Sequence, residues 1–486
     1  MKKLIIVVCL FSTVSSVFSQ VTTPLTHREG PGVGLLSLQQ LKDSALRNNM
    51  AMRAARLDID AAQQQRKEAF ANYFPNVSGT GLWFNANKGM AKMEMNPSEV
   101  ISPELGASLS QMLPAEALAA LGSPISMSMM KNGTIGSLMA VQPIFAGGQI
   151  INGNRLAKVG EDVSHLQLQL SKNEVLKQTE EYYWQLVSMQ QKMKTVEAVE
   201  ALLQDISKDV DVAVRAGVAM RNDLLQVQLR QNDIESQKVK LNNGIFIVKQ
   251  LLGQYANLTP SPIPEQSSPA HSLSPTGEGS IYNFEIEVPD MDQQEYLLSS
   301  LNREGPEVGL VGLLPEYQLL QKQVEAAKLQ RKMEVGKRLP SVGIGAGYNY
   351  YNMMENNHNF GMVFATVSVP ISDWWGGSHA IKRKKIQQQK AEEQLEDNSQ
   401  LLKIRIQKAW NDVQESRQQL SIARRSIEQA EENLRLNRDY YKAGTSKMSD
   451  LLEAQAQWQQ AHSNLIEAQT QYKVCETEYL RVTGRL

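Results

Sequence analysis

The chain has 486 residues, enough for two or three ordinary domains, and 50 basic residues stand against 51 acidic ones. A net charge of −1 leaves no electrostatic footprint for nucleic acid, so none is expected as a partner. Past residue 19 there is no run of 18 apolar residues, so entry into a membrane has to be as a β-barrel rather than as a helix.

Residues 1–19 read as a secretory signal: Lys2 and Lys3 precede an apolar stretch, and Val17 and Ser19 suit the cleavage positions before Gln20. Only Cys475 then remains in the mature chain, which makes no internal disulfide. A first repeat, 20–253, opens with a helix over 37–72 that stops at Phe74-Pro75, because the residue before proline avoids the α region. Residues 77–85 alternate like a strand. A long irregular connection, 86–133, carries four prolines and leads to a second strand-like run, 134–145. Gly147-Gly148 breaks the chain, a helix follows over about 150–214, a turn at 215–220 reverses it, and 222–252 runs back. Residues 254–291, rich in Pro, Ser and Gly, read as a linker or equatorial segment with no core. The second repeat, 292–486, has helices over 293–302 and 316–338 and strands over 341–351 and 360–371. A break at Gly376-Gly377 precedes a helix over 379–442 and its return over 446–482.

The duplication is legible residue by residue. Ala61-Ala62, Gln65-Arg66-Lys67 and Phe74-Pro75 match Ala326-Ala327, Gln330-Arg331-Lys332 and Leu339-Pro340 at an offset of 265. Ala216-Gly217 followed by Asp223-Leu224-Leu225 matches Ala443-Gly444 followed by Asp450-Leu451-Leu452 at an offset of 227. Gly217 and Gly444 suit the left-handed position that ends a helix. Asp223 and Asp450 suit N-caps of the outgoing helices, and Glu453, three residues after Asp450, completes a capping-box pattern.

Leu402, Ile406, Ala409, Val413, Ser416, Leu420, Ala423, Ile427, Ala430, Leu434, Asn437 and Tyr441 step by four and three, as do Leu451, Ala454, Trp458, Ala461, Leu465, Ala468, Tyr472, Cys475 and Tyr479. That is the 3.5-residue period of a coiled-coil seam. At 1.5 Å per residue, 379–442 is about 95 Å long and the return only about 55 Å, so 316–338 is needed to cover the upper half, as 37–72 is in the first repeat. The strands are amphipathic: Val342, Ile344, Ala346, Tyr348 and Tyr350 alternate with small or polar residues, as suits a crossing between lipid and lumen. Four strands cannot close a barrel, whereas three chains would supply twelve.

The order and duplication of these motifs resemble the TolC family of outer-membrane efflux channels over nearly the whole mature chain. The resemblance implies an α+β membrane protein: a homotrimer whose 12-stranded barrel sits in outer-membrane lipid and continues as an α-helical tunnel through the periplasm. It implies an exit duct for tripartite efflux or type I secretion, working with a periplasmic adaptor (membrane fusion) protein and an inner-membrane pump. It further implies that the hairpin turns form a periplasmic gate, with Asp223 and Tyr441 in a closing polar network and Asp450 and Glu453 in an acidic ring. Ser446, with Lys447 beside it, stands where the family has a basic residue. The small turn residues Gly217, Gly444 and Thr445 are the expected docking surface for the adaptor. The alternative reading is a periplasmic coiled-coil scaffold or adaptor without a pore.

No nucleophile and base fall together, so no enzyme activity and no cofactor are expected. The six histidines form no i, i+4 pair. Gly343-x-Gly345-x-Gly347 lies in a strand and opens no helix, which excludes a nucleotide loop. The connection 86–133 holds Met90, Met93, Met95, Met127, Met129 and Met130. These thioethers suit a soft metal ion, although methionine also fills apolar loops.

Overall fold

A computed structural model of the protein describes residues 35–88, 91–95, 125–129, 132–258, 284–289, 308–353, 356–371 and 374–486, with isolated positions 102, 105, 108, 112, 114 and 282. The elements in chain order are β1 (Leu35–Leu36), α1 (Leu38–Asn48), α2 (Met50–Ala71), β2 (Asn76–Asn85), β3 (Ala91–Met95), β4 (Ile125–Met129), β5 (Asn132–Ala146), α3 (Gln149–Arg215) and α4 (Arg221–Tyr255). Then come β6 (Glu285–Ile286), a 3-10 turn (Val308–Leu313), α5 (Pro315–Gly336), β7 (Ser341–Met353), β8 (Asn356–Ser368), α6 (Trp374–Lys442) and α7 (Met448–Val482).

The duplication sets this order. Helices α2 and α5 are both 22 residues long and begin 265 positions apart, and β2 and β7 begin at the same offset. Helices α3 and α6 have 67 and 69 residues, which makes each about 100 Å long. No core wraps a helix of that length, so each is covered in two stages: α4 and α7 pack along the lower halves of α3 and α6, and α2 and α5 along the upper halves. The α6 seam read from sequence is buried from Ile406 to Ile427, and partly buried onward to Tyr441.

Helix α7 has a second buried face that the seam does not contain. It packs against α3 as well as α6, and Gln455, Gln459, Gln469, Thr470, Lys473, Glu476 and Thr477 are all buried there. Such polar groups survive burial only when bonded. The Thr477 hydroxyl donates to Glu180 of α3, whose carboxylate also pairs with Lys42 of α1. Nearby, Leu41, Val175, Trp184, Leu252, Phe284 and Ile286 form an equatorial core. The expectation that 254–291 holds no core residue therefore fails at Phe284 and Ile286. Ile286 is delivered by β6, which pairs in parallel with β1. The rest of that segment, and the helix expected over 293–302, lie outside the described residues.

Two other helix boundaries are corrected. The helix expected over 37–72 is broken at Asn49, which has extended backbone. Its Nδ2 donates to the Tyr255 carbonyl at 2.8 Å and its Oδ1 accepts from Ala51 N–H at 2.8 Å, so one side chain caps α2 and ties it to the end of α4. In the second repeat the glycine pair does not break the chain: Gly376 and Gly377 lie inside the first turn of α6, and Gly377 leaves room for the Arg338 side chain.

The four long strands form one antiparallel sheet in the order β2-β5-β7-β8, so the repeats join through β5 and β7. The register places Val77, Ala140, Ala346 and Val363 in one row, and Leu138 and Tyr348 in the next row of the same face. This apolar face is bare: Val363 is 86% exposed and Val367 68%. Leu138, Ile344 and Tyr348 are exposed as well. The opposite face carries Ser78, Thr80, Ser137 and Asn349, but it is not uniformly small, because the Phe364 ring lies over Gly345 and the Phe84 ring over Gly133. An aromatic over a glycine in the paired strand fills the gap a missing side chain leaves. Among the described residues β2 and β8 pair on one side only, leaving both sheet edges open.

The connection 86–133 is not wholly irregular. Two of its segments pair as the antiparallel strands β3 and β4, in the register Met93 to Met127. The side chains of Met90, Met93, Met95, Met127, Met129 and Met130, the soft-metal set expected from the sequence, lie outside the described residues. No helix among the described residues is long and apolar enough to cross a membrane.

Candidate gate at the helical tip

Helices α3 and α6 end in the same way. Gly217 and Gly444 take the left-handed conformation, with φ of +74° and +73°. The next residue's N–H reaches back to the last turn: Val218 to the Ala213 carbonyl and Thr445 to the Tyr440 carbonyl, both at 3.0 Å. Gly217 N–H bonds the Val214 carbonyl at 3.1 Å and Gly444 N–H the Tyr441 carbonyl at 3.0 Å. This is the Schellman arrangement, which satisfies carbonyls that the helix end would otherwise leave bare.

The outgoing helices also start alike, at Arg221 and Met448, one turn before the caps expected at Asp223 and Asp450 would place them. Asp223 and Asp450 are not N-caps. They sit at the third helical position and reach back to the N–H of the cap residue, Met220 or Lys447, each at 3.2 Å. Asp450 also accepts from the Ser446 and Ser449 hydroxyls at 3.2 and 3.1 Å. These bonds, that from the Lys447 backbone first, hold the Asp450 carboxyl below the usual aspartate range. Ser446 thus ties its own turn together. Glu453 is exposed, outside the capping pattern, and accepts from Gln457 at 3.2 Å.

The two turns lie side by side and enclose a cavity of about 780 Å³. Asp209, Met220 and Asp223 line it from the first hairpin, and Arg438, Tyr441, Lys442, Gly444, Ser446 and Lys447 from the second. The structure thus brings Asp223 and Tyr441 together, although they are far apart in sequence. Burial pushes the Tyr441 hydroxyl pKa up, and the Asp223 carboxylate adds to the effect, so the phenol keeps its proton at neutral pH. Gly217, Thr445, Asp450 and Glu453 do not line this cavity. Thr445 caps α6 through its hydroxyl on the Tyr440 carbonyl at 3.1 Å.

Behind the cavity, Val199, Leu203, Val227 and Ile234 of the first hairpin pack with Met448 and Leu451 of the second. A polar clamp that the sequence pattern does not reveal lies one step further up. Arg230 of α4 donates through Nε to Gln455 at 3.0 Å and through Nη2 to Gln459 at 2.9 Å, both on α7. Gln459 in turn donates to Gln237 at 2.7 Å. Its local signal is only two glutamines one helical turn apart on a face that seam periodicity would leave to solvent.

These features have known counterparts. The model of the family described as "Outer membrane efflux protein" matches residues 315–485, from the start of α5 to just past the end of α7. Residues 315–485 are similar to the outer membrane efflux proteins. The family resemblance read from the motifs is borne out there. Over 92% of the chain the fold is similar to solved outer-membrane proteins. It matches VceC of Vibrio cholerae with a TM-score of 0.67 at 14% identity, over 92% of this chain and 96% of that one. It matches the CmeC outer membrane channel of Campylobacter jejuni with a TM-score of 0.67 at 13% identity, over 92% and 85%. The open state of the MtrE outer membrane channel of Neisseria gonorrhoeae gives 0.67 at 15% identity, over 92% and 88%. No curated protein matches the chain by sequence. The family matched over residues 315–485 is one of efflux proteins, and the solved structures show a shared fold.

Proposed function

We propose that three copies of the chain form a channel-tunnel in the bacterial outer membrane, the exit duct of a tripartite efflux or type I secretion system, closed at rest by the paired hairpin tips. The observation that carries this reading is the four-stranded sheet with one bare apolar face and two open edges. An exposed apolar sheet with unpaired edges is an aggregation hazard in water, but a wall segment in lipid once the edges close on neighbouring copies. Helices α3 and α6 leave the same sheet and extend its wall into the periplasm. The cavity between the turns leaves the tip room to move, and Asp223 and Tyr441, which line it from the two hairpins, would join them in the closed arrangement. The small, exposed turns let the hairpins of an adaptor approach closely, and the adaptor would couple the duct to an inner-membrane pump.

Light scattering of the detergent-solubilised protein should give three copies, and liposomes containing it should conduct ions. A folded, soluble monomer that leaves the outer membrane after carbonate washing would instead support the pore-less scaffold.

A further inference from the structure

A second cavity, of about 620 Å³, lies where α2 runs up to the sheet and α3 leaves it. Arg66 and Lys67 of α2 and Arg155 and Lys158 of α3 line it, together with Phe70 and Tyr73. One carboxylate, Glu161, shares the lining and pairs with Arg66 at 2.7 Å. Lys67, Arg155 and Lys158 are exposed and pair with no carboxylate among the described residues. Unpaired like charges repel, so the fold gains nothing by gathering them. The duplication nevertheless repeats the set. At the offset of 265, Arg66 and Lys67 become Arg331 and Lys332, and Phe70 and Phe74 become Val335 and Leu339, both exposed. Helices α3 and α6 run unbroken to the tip, so the offset of 227 holds along them, and Arg155 and Lys158 become Lys382 and Lys385. All four cations are present in both halves, whereas Glu161 is replaced by Gln388.

The order of side chains gives the cavity a direction. On α2, which runs towards the sheet, Lys67 comes first, then Phe70, Tyr73 and Phe74. On α3, which runs away from it, Ile151 comes first, then Arg155 and Lys158. Both helices thus put apolar side chains next to the sheet and cations about 5–10 Å further from it, at 1.5 Å per residue. Phe70, Phe74 and Ile151 are exposed, and the Phe70 ring meets those of Tyr73 and Phe74 edge to face at 5.6 and 5.5 Å. Exposed Val77 continues this apolar step onto the bare face of the sheet. Aromatic side chains gather at membrane interfaces, and basic pockets just beyond the hydrocarbon bind anionic headgroups. We propose that this junction binds an anionic phospholipid, its phosphate held by Lys67, Arg155 and Lys158 and its acyl chains laid along Phe70 and Ile151 towards the bare sheet. A soluble anion would use the cations but not the apolar step beside them. The matching cations of the second repeat make a second site in each chain. Such binding presupposes the sheet as the barrel wall proposed for the duct, and adds to it a preference among lipids.

The test uses the full-length protein in phosphatidylcholine liposomes carrying a trace of spin-labelled phosphatidylglycerol or spin-labelled phosphatidylcholine. The lipid held motionally restricted by the protein should be enriched in phosphatidylglycerol. Lys67→Gln/Arg155→Gln/Lys158→Gln, combined with Arg331→Gln/Lys332→Gln/Lys382→Gln/Lys385→Gln, should cut that preference at least about fivefold, the effect of a single cation beside an anionic lipid. Lys208→Gln/Lys240→Gln/Arg417→Gln removes three exposed cations nearer the tip and should leave it unchanged. Equal restriction of the two lipids by the parent, or an equal loss in the control, overturns the proposal. So does displacement of phosphatidylglycerol by inorganic phosphate but not by chloride of equal ionic strength, which would assign the cations to a soluble anion. Should the combined variant fail to assemble, the parent decides: photoactivatable phosphatidylglycerol should crosslink to 63–73 and 151–161, and crosslinks confined to other segments than these and 328–339 or 378–388 reject the site. Carbonate washing separates the two readings. Protein that stays in the membrane without a lipid preference refutes the lipid site alone, and protein that washes out refutes the duct and the site together.

Discussion

Gly147 and Gly336 meet backbone to backbone: a Cβ built on either would overlap the other's carbonyl oxygen. Gly147 is in the turn that feeds β5 into α3, and Gly336 is the last residue of α5, so the contact joins the first repeat to the second where sheet gives way to helix. Gly147 also has φ of +60°. An added methyl has to push the two backbones apart, and overpacking of this kind costs about 1–3 kcal/mol, with roughly 1–2 kcal/mol more for a left-handed alanine. Gly147→Ala should therefore lower the melting temperature of the solubilised protein more than Gly336→Ala, and both should do so more than Gly160→Ala, where a Cβ meets open space.

At the tip the same residue type answers to a different constraint. A Cβ on Gly217 or Gly444 would meet nothing within 4 Å, so only the positive φ resists substitution. Asparagine tolerates that conformation and leucine does not. Gly444→Asn should keep efflux, whereas Gly217→Leu and Gly444→Leu should abolish it while leaving trimer and membrane insertion intact. Export assays in cells, read beside the amount of trimer in membranes, check this. Wild-type efflux by the leucine variants would count against docking at the turns.

The Arg230 clamp ties the first hairpin to the second. Gln455 is fully buried, so Arg230→Met leaves its carbonyl unsatisfied, at a cost of about 1–3 kcal/mol. Local opening should follow: hydrogen exchange in α7 around 451–462 should quicken with α3 unchanged, and resting conductance should rise. Identical exchange in the variant would mean that packing alone holds the hairpins together.

In a trimer Asp450 and Glu453 would each recur three times around one axis. Carboxylates about 7 Å apart repel by about 0.6 kcal/mol in water and about 2.4 kcal/mol at an effective dielectric of 20, so a bound cation would relieve the ring. The resting pore should prefer cations and be blocked by multivalent ones. Asp450→Ala/Glu453→Ala should remove both properties in planar-bilayer recordings, and retention of both would leave these acids as local turn residues.

The pH dependence of Asp450 is set by its own turn. The Asp450 carboxyl is held low by the N–H and hydroxyls of its own turn. Its contribution to the fold is present above the unfolded pKa and lost only as pH falls through the lower folded one. Asp450 should therefore stay ionised at mildly acid pH, and Asp450→Asn should loosen the start of α7, read as faster hydrogen exchange over its first turn.

Local chemistry carried much of this protein in plain sight. Proline after Phe74 and Leu339, glycine at 217 and 444, the two-residue alternation of Val342 to Tyr350 and the 3.5-residue seam of α6 each act over a few residues, so they are legible without a structure. The duplication made them more so, because every signal occurs twice. What only the tertiary structure decided are the contacts between segments hundreds of residues apart. The break at Asn49 exists because the Tyr255 carbonyl is there to receive its amide. The second face of α7 is buried because α3 lies against it and supplies partners such as Glu180. Asp223 and Tyr441 are neighbours only because the two hairpins end side by side. Periodicity tells which side of a helix is apolar, but a polar side chain is buried only when another part of the fold bonds it, and that partner is fixed by topology.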